Sequence, residues 1–135
     1  MIFVDTNYFL RFLLKDIDKQ YQQAKELFKK GATGIIELNT SLVVFFEIYW
    51  VLSSFYKKRK VELVPILANI LKMNFIKITE ADLLKKAVDL FADNNLNLED
   101  SFNLVFAENK KITDFKTFDK KLSKKFKQLK AQISA

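Results

Sequence analysis

The chain contains no cysteine and no histidine, and only two glycines, one proline and one tryptophan in 135 residues. Without cysteine there is no disulfide and no thiolate metal site, which suits a reducing compartment. Without histidine there is no imidazole general base, and the commonest zinc ligand is missing. Any metal used here is therefore a hard cation held by carboxylate oxygens. So little glycine and proline leaves no flexible linker, and no internal repeat is visible. Residues 1–135 read as a single domain, long enough to bury a core. A membrane-length apolar run is also lacking: the most apolar stretch, Ser41 to Tyr56, is short and carries Glu47 near its centre. No secretory pattern opens the chain, since Asp5 precedes any basic residue and Arg11 interrupts the apolar stretch. The expectation is a soluble, cytoplasmic protein.

What is present is apolar mass and positive charge. Half of the residues are hydrophobic and 14 are phenylalanine, so the chain should pack as a globule. The net charge is +7, from 23 basic and 16 acidic side chains. A basic surface favours polyanions such as nucleic acid or anionic membranes, although solubility alone accounts for it equally well. The basic residues crowd Lys57–Lys60 and Lys110–Lys130, away from the apolar stretches that carry several acids.

Strands and helices alternate along the sequence. Ile2–Val4 reads as a short buried strand. Tyr8–Leu14 is a short helix, and Asp16 or Asp18 can cap the next, through Tyr21, Ala24, Leu27 and Phe28. Lys29-Lys30-Gly31 is a stop signal for it. Gly34–Leu38 is predicted as a second strand. Thr40 or Ser41 then caps a helix from Leu42 to Tyr56, apolar nearly all round and so buried. Val61–Lys72 is a helix, Asn74–Ile78 a brief strand, and Thr79-Glu80-Ala81-Asp82 resembles a capping box opening a helix over Ala81–Asp93. Glu99–Asn109 is another helix and Ile112–Thr117 a strand. The lysine-rich tail from Asp119 to Lys130 is a short helix or irregular turn, with a last strand placed near Leu129–Ile133. This alternation predicts an α/β fold: a three-layer α/β/α sandwich with a central, mainly parallel sheet of four to five strands.

Four acids then stand out by their settings. Asp5 ends the first strand, where ligands bind in open α/β sheets. Asp-Thr-Asn is also a good helix cap, which is the simpler explanation. Glu47 sits in an apolar helix with no basic residue before Lys57, so it either pairs with a distant lysine or faces a cleft that holds a cation. Asp100 lies in the first turn of a helix, where the dipole favours an acid in any case. Asn103 follows on the same face, whereas Glu99 points elsewhere, to solvent. Asp119 follows the predicted strand Ile112–Thr117 and repeats the Asp5 logic; Asp114 falls toward the opposite end. Four carboxylates converging in a partly desolvated cleft repel one another unless a cation joins them. A Mg²⁺ ion, which keeps several waters and binds through a few carboxylates, resolves that conflict.

Phe3-Val4-Asp5-Thr6-Asn7, the helical Glu47, Glu99-Asp100-Ser101-Phe102-Asn103-Leu104 and Thr117-Phe118-Asp119-Lys120-Lys121 resemble, in order and spacing, the PIN-domain nucleases. The likeness spans essentially the whole chain and is closest to the small VapC-type toxins of toxin–antitoxin pairs. It implies a Mg²⁺- or Mn²⁺-dependent endoribonuclease in which water attacks phosphorus in line and leaves a 5′-phosphate. Asp5 and Asp100 would be the principal metal ligands, Glu47 and Asp119 would ligate or orient metal-bound water, and Thr6, Asn7 and Thr117 would support them. RNA as substrate, a small antitoxin as partner and a homodimer are implied in the same way; Phe45, Tyr49, Trp50 and Phe55 could supply a dimer face, or simply core. The chain departs from the family pattern in Ser101-Phe102, where small residues are usual, and in its lysine-rich tail, which suits a phosphate backbone or an acidic antitoxin segment.

Two other classes remain open from sequence: a non-catalytic PIN-like module binding RNA or protein, and a structure-specific DNA nuclease using the same acids. A receiver domain is disfavoured because the middle acid, Glu47, lies inside a helix. A haloacid-dehalogenase-type phosphatase needs a second Asp where this chain has Asn7.

Overall fold

The computed structural model describes residues 1–134, with side chains as far as Gln132. The described residues form an α/β fold with seven helices and one parallel sheet. The elements are β1 (Ile2–Phe3), α1 (Thr6–Leu14), α2 (Asp18–Ala32), β2 (Leu38–Thr40), α3 (Leu42–Ser54), α4 (Lys60–Lys72), β3 (Ile76–Ile78), α5 (Ala81–Asp93), α6 (Leu98–Asn109) and α7 (Lys120–Ser134). The strands lie in the order β1-β2-β3, all parallel, with Ile2 opposite Leu38 and Leu38 opposite Ile76. Helical crossovers between strands are what parallel pairing requires.

Apolar spacing places the helices. On α5 the buried residues are Leu83, Leu84, Ala87, Val88 and Phe91, one stripe at helical period. Ser41 caps α3 as expected, its Oγ accepting from the Val44 N–H at 3.2 Å. The largest cluster of buried side chains joins Val4, just past β1, and Leu38 of β2 to Phe9, Phe45, Ile48 and Leu52 from α1 and α3, and to Leu67, Leu84 and Phe91 beyond. A smaller cluster under α7 holds Leu104, Ala107, Leu122 and Phe126.

The sheet has three strands among the described residues, not four to five. Gly34–Leu38 fails as a strand because its first half is used to end α2: the Ile35 and Ile36 N–H groups both donate to the Lys30 carbonyl, at 3.0 and 3.4 Å. The left-handed turn falls at Gly34 (φ 79°), and β2 begins only at Leu38. Gly31 is not the stop but lies inside α2, where a Cβ would come within 2.5 Å of the Leu38 side chain. Its absence lets α2 lie against β2.

Ile112–Thr117 is likewise no strand. Its anchors are side chains on α7: the Phe115 ring lies 5.2 Å from that of Phe126, and the Lys130 ammonium donates to the Thr113 carbonyl at 2.7 Å. The region expected as a last strand, Leu129–Ile133, continues α7, because Leu122, Phe126 and Leu129 recur at i, i+4 and i+7. In consequence β1 is an edge strand, with Phe3 59% exposed. Two caps also differ. Ile17 precedes α2 with no side-chain cap, and Glu80 opens α5 in a left-handed conformation (φ 65°), so the expected capping box does not form. No described helix is long and apolar enough to cross a membrane.

Candidate active site

Asp5 follows β1 and caps α1, with φ −85° and ψ 167°. Its Oδ1 accepts from the Thr6 N–H at 2.8 Å, and the side chain is exposed. The capping explanation is thus correct for one oxygen, and the N-terminal end of the helix dipole supports the charge. The next residue is a buried polar one. Thr6 is 2% exposed, and its Oγ1 has no hydrogen-bond partner. The Asn39 Nδ2 on β2 is buried and unpartnered too, while the neighbouring Thr40 Oγ1 donates to the Val4 carbonyl at 2.8 Å. A buried hydroxyl without a partner costs about 1–3 kcal/mol. Such a group marks a place where water or hydrated solute completes the site.

Asp100 is part-buried in the first turn of α6. Asn97 caps this helix by accepting from the Asp100 N–H at 2.7 Å, which leaves the Asp100 carboxylate uncommitted to the cap. Helix α3 is joined to this helix start. The Tyr49 hydroxyl accepts from the Leu98 N–H at 3.5 Å, and the rings of Phe46 and Phe102 meet edge to face at 5.5 Å. Burial, and after it the charges of Glu99 and Asp100, push the Tyr49 phenol above its usual range. Ser101 is fully buried, with its Oγ donating to the Asn97 carbonyl at 2.8 Å. Phe102 makes the aromatic contact to α3, so the departure at Ser101-Phe102 is structural.

Glu47 is exposed on the outer face of α3, which also carries Val43 and Trp50. Of the two sequence expectations for it, no pairing with a lysine is present among the described residues. Asp119 precedes α7, not a strand end. Its Oδ1 accepts from the Leu122 N–H at 3.1 Å and its own N–H donates to the Thr117 Oγ1 at 3.1 Å. Asp114 lies apart from it, paired with Lys116 at 2.9 Å. Asp5, Asp100 and Asp119 therefore share one local design, an acid at a helix N-terminus, where backbone N–H groups and the dipole offset its charge.

Among the described residues no group of three or more acids is gathered closely enough to form a ready ion cage. The convergence of all four acids expected from sequence is not on view; helix starts offset the charge of Asp5, Asp100 and Asp119 locally, while Glu47 lies mid-helix on α3 and exposed.

Residues 2–127 match the family model for the PIN domain. The chain belongs to the PIN domain family. No curated protein and no solved structure matches it. PIN domains are generally nucleases and typically use divalent metals, and membership supports a nuclease role for this one. The residues of this PIN domain suit such an ion chemically. Asp5 and Asp100 present carboxylate oxygens at helix N-termini, and Thr6 adds an unpartnered buried hydroxyl next to the first.

A neutral test of that hydroxyl is Thr6→Val, which keeps shape and removes the oxygen. If Thr6 supports a metal site, Mn²⁺ affinity should fall by about 10- to 100-fold. Stability, measured by urea unfolding, should hold or rise, because an unpartnered polar atom has been removed.

Three contributors gave little signal in the sequence. Asn39 and Thr40 are brought beside Asp5 only by strand pairing. Lys60 donates to the carbonyls of Phe91, Asn94 and Leu96 at 2.8, 2.8 and 3.0 Å, and so clamps the loop that leads into Asp100's helix. In the sequence it is one lysine in a basic run. Asn97 was legible in principle, three residues before Asp100 at a cap position.

Proposed function

We propose that this PIN domain is a Mg²⁺- or Mn²⁺-dependent endoribonuclease, acting as the toxin of a toxin–antitoxin pair. The observation that carries the reading is Asp5 capping α1 beside the buried, unpartnered Thr6 hydroxyl, in a chain whose only hard-cation donors are oxygens. Asp5 and Asp100 would hold the ion, with Glu47 and Asp119 orienting water and Thr6, Asn7 and Thr117 supporting them. The bound cation supplies Lewis acidity for water activation and for the leaving oxygen in phosphodiester hydrolysis. The protein's own groups do the rest. The Asp119 carboxylate is held through Oδ1 by the Leu122 N–H, and its backbone N–H by the Thr117 hydroxyl, which leaves Oδ2 to accept a proton or orient water. The exposed lysines of α7, among them Lys120, Lys121 and Lys124, favour the phosphate backbone and give salt-sensitive affinity.

The test is cleavage of a small-RNA pool by purified protein with Mg²⁺, with Mn²⁺ and with EDTA, alongside single-stranded and branched DNA. Metal-dependent RNA cuts that bear 5′-phosphates support the reading. RNA bound but left whole favours a binding module, and cuts confined to DNA favour a structure-specific nuclease.

The proposed partners follow the same reading. A small, acidic-tailed antitoxin would offset the basic surface, and a neighbouring reading frame encoding one would support it. A homodimer would use the exposed Val43, Trp50 and Phe55, since Phe45 and Tyr49 are core. Trp50→Lys should then convert the dimer to monomer in sedimentation without loss of fold.

A further inference from the structure

A pocket of about 370 Å³ opens directly beside the Asp5 turn, lined by Asn7, Tyr8 and Arg11 of α1 and by Gln20 and Gln23 of α2. Its size is ordinary for a small-molecule site, but its lining is not the usual apolar one. Three exposed side-chain amides, a phenol and a guanidinium surround it. The guanidinium is already neutralised and fixed. Arg11 Nη1 donates to both carboxylate oxygens of Asp16 at 3.1 and 3.0 Å, and Nη2 donates to the Tyr56 hydroxyl at 3.4 Å. The Arg11 side chain is only 16% exposed.

This combination argues against an anion. A phosphate would find its charge partner already taken, and would find free lysines on α7 instead. The pocket offers what a neutral, planar, hydrogen-bonding group needs. Amides present a donor and an acceptor side by side, which is how Asn and Gln read the edge of a base. Tyr8 is 42% exposed at the pocket wall and supplies a ring face. It also borders a second groove, shared through Gln23, that runs on past Glu26 and Lys30. A chain lying there would place one base in the pocket and pass its neighbour over the Tyr8 ring.

We propose that this pocket receives an unpaired nucleobase of the RNA substrate, next to the phosphodiester that is cut. The proposal rests on the endoribonuclease reading and adds to it a single-stranded substrate and a base preference at one position. Unpaired bases in RNA are read in this way, by stacking on aromatic rings and by hydrogen bonds to their edges. Asn7 lies two residues after Asp5, so the base position and the cleavage position are coupled by one helix start.

The experiment has two independent arms. In the first, each of the four ribonucleoside monophosphates is titrated into the ¹⁵N-labelled protein, and the side-chain amide resonances of Gln20 and Gln23 are followed. Shifts that differ among the four bases support the pocket; no shift with any of them overturns it, whatever the protein does to RNA. In the second, cut sites in a randomised single-stranded RNA are mapped for wild type, Gln20→Ala/Gln23→Ala, Tyr8→Ala and Tyr8→Phe. Wild type should prefer one base near the cut by about tenfold or more, and the double variant should flatten this to about twofold, mainly through KM. Tyr8→Ala should raise KM for all sequences by about tenfold, with recovery in Tyr8→Phe. Both glutamines are exposed on α2 and Ala favours helix, so misfolding does not confound the comparison. Wild-type cleavage with an unchanged base profile in the double variant would sink the pocket and leave the nuclease standing. No metal-dependent cleavage by wild type would sink the nuclease reading instead, and the titration would still decide the pocket.

Discussion

Asp5→Asn and Asp100→Asn should each lower metal-dependent RNA cleavage by about 10²–10³-fold, with little change in stability. The two variants separate chemistry from folding because of where the acids sit. Asp5 stabilises α1 by accepting one backbone hydrogen bond, from Thr6. Asparagine caps about as well as aspartate, so that contribution survives the substitution. Asp100 takes no part in capping through its side chain; Asn97 does that. Its loss of charge weakens only the interaction with the helix dipole, about 0.3–1 kcal/mol. What both variants lose is a formal negative charge toward the proposed cation. The double variant should be little worse than either single one, because groups that act on one ion do not add. Urea unfolding beside the rate measurement shows whether the loss is chemical. A variant that unfolds early, or that cuts at the wild-type rate, removes its residue from the site.

Lys60→Met should destabilise the fold by about 2–4 kcal/mol, the largest stability effect expected from a single polar side chain here. The ammonium closes three carbonyls, Phe91 in the last turn of α5, Asn94 at its C-cap and Leu96 in the loop beyond, and stands 4.2 Å from the Phe91 ring centroid. Burial, and then the nearby Lys121, hold its pKa below the usual lysine range, and the three carbonyls supply the acceptors that its N–H groups need. Methionine keeps the stem's packing and leaves those carbonyls without their donor. Lys60→Arg should recover less than half of the loss, since a planar fork cannot place its donors on three convergent oxygens. The effect extends to the site. The clamped loop carries Asn97, and Asn97 sets the first turn of α6 from which Asp100 projects. A thermal or urea midpoint unchanged in Lys60→Met would show that the clamp is ornamental.

The local signals were legible where a side chain and its own backbone decide the outcome. Ser41 caps α3, Ala81–Asp93 is helical end to end, and Pro65 is accommodated in α4. Asp5 and Asp100 at helix starts were legible for the same reason, whereas Asp119 was expected at a strand end and instead caps α7. Strand positions were not. A two- or three-residue strand is defined by its partner, and nothing in Gly34–Ile36 reveals that the Ile35 and Ile36 N–H groups are spent on the Lys30 carbonyl. Ile112–Thr117 alternates like a strand, yet Phe115 is held by Phe126 instead of by a ladder. The tail was ambiguous in periodicity, and α7 wins because Leu122, Phe126 and Leu129 share a helical face. Glu47 was read as an acid in need of a partner because its neighbours are apolar. The structure shows that Val43 and Trp50, which accompany it, are themselves on the surface. Such a face cannot be told from a core helix by composition.

In the proposed function Asp5, at the start of α1, and Asp100, at the start of α6, are the principal ligands of a divalent cation. The most direct test is Mn²⁺ titration of the ¹⁵N-labelled protein, read by paramagnetic broadening of backbone amides. The account predicts that the amides of Asp5, Thr6, Asn7, Glu99, Asp100 and Ser101 broaden first, that Mg²⁺ competes for the effect, and that Asp5→Asn abolishes it. Broadening that begins elsewhere, or that persists unchanged in both Asp5→Asn and Asp100→Asn, would contradict it.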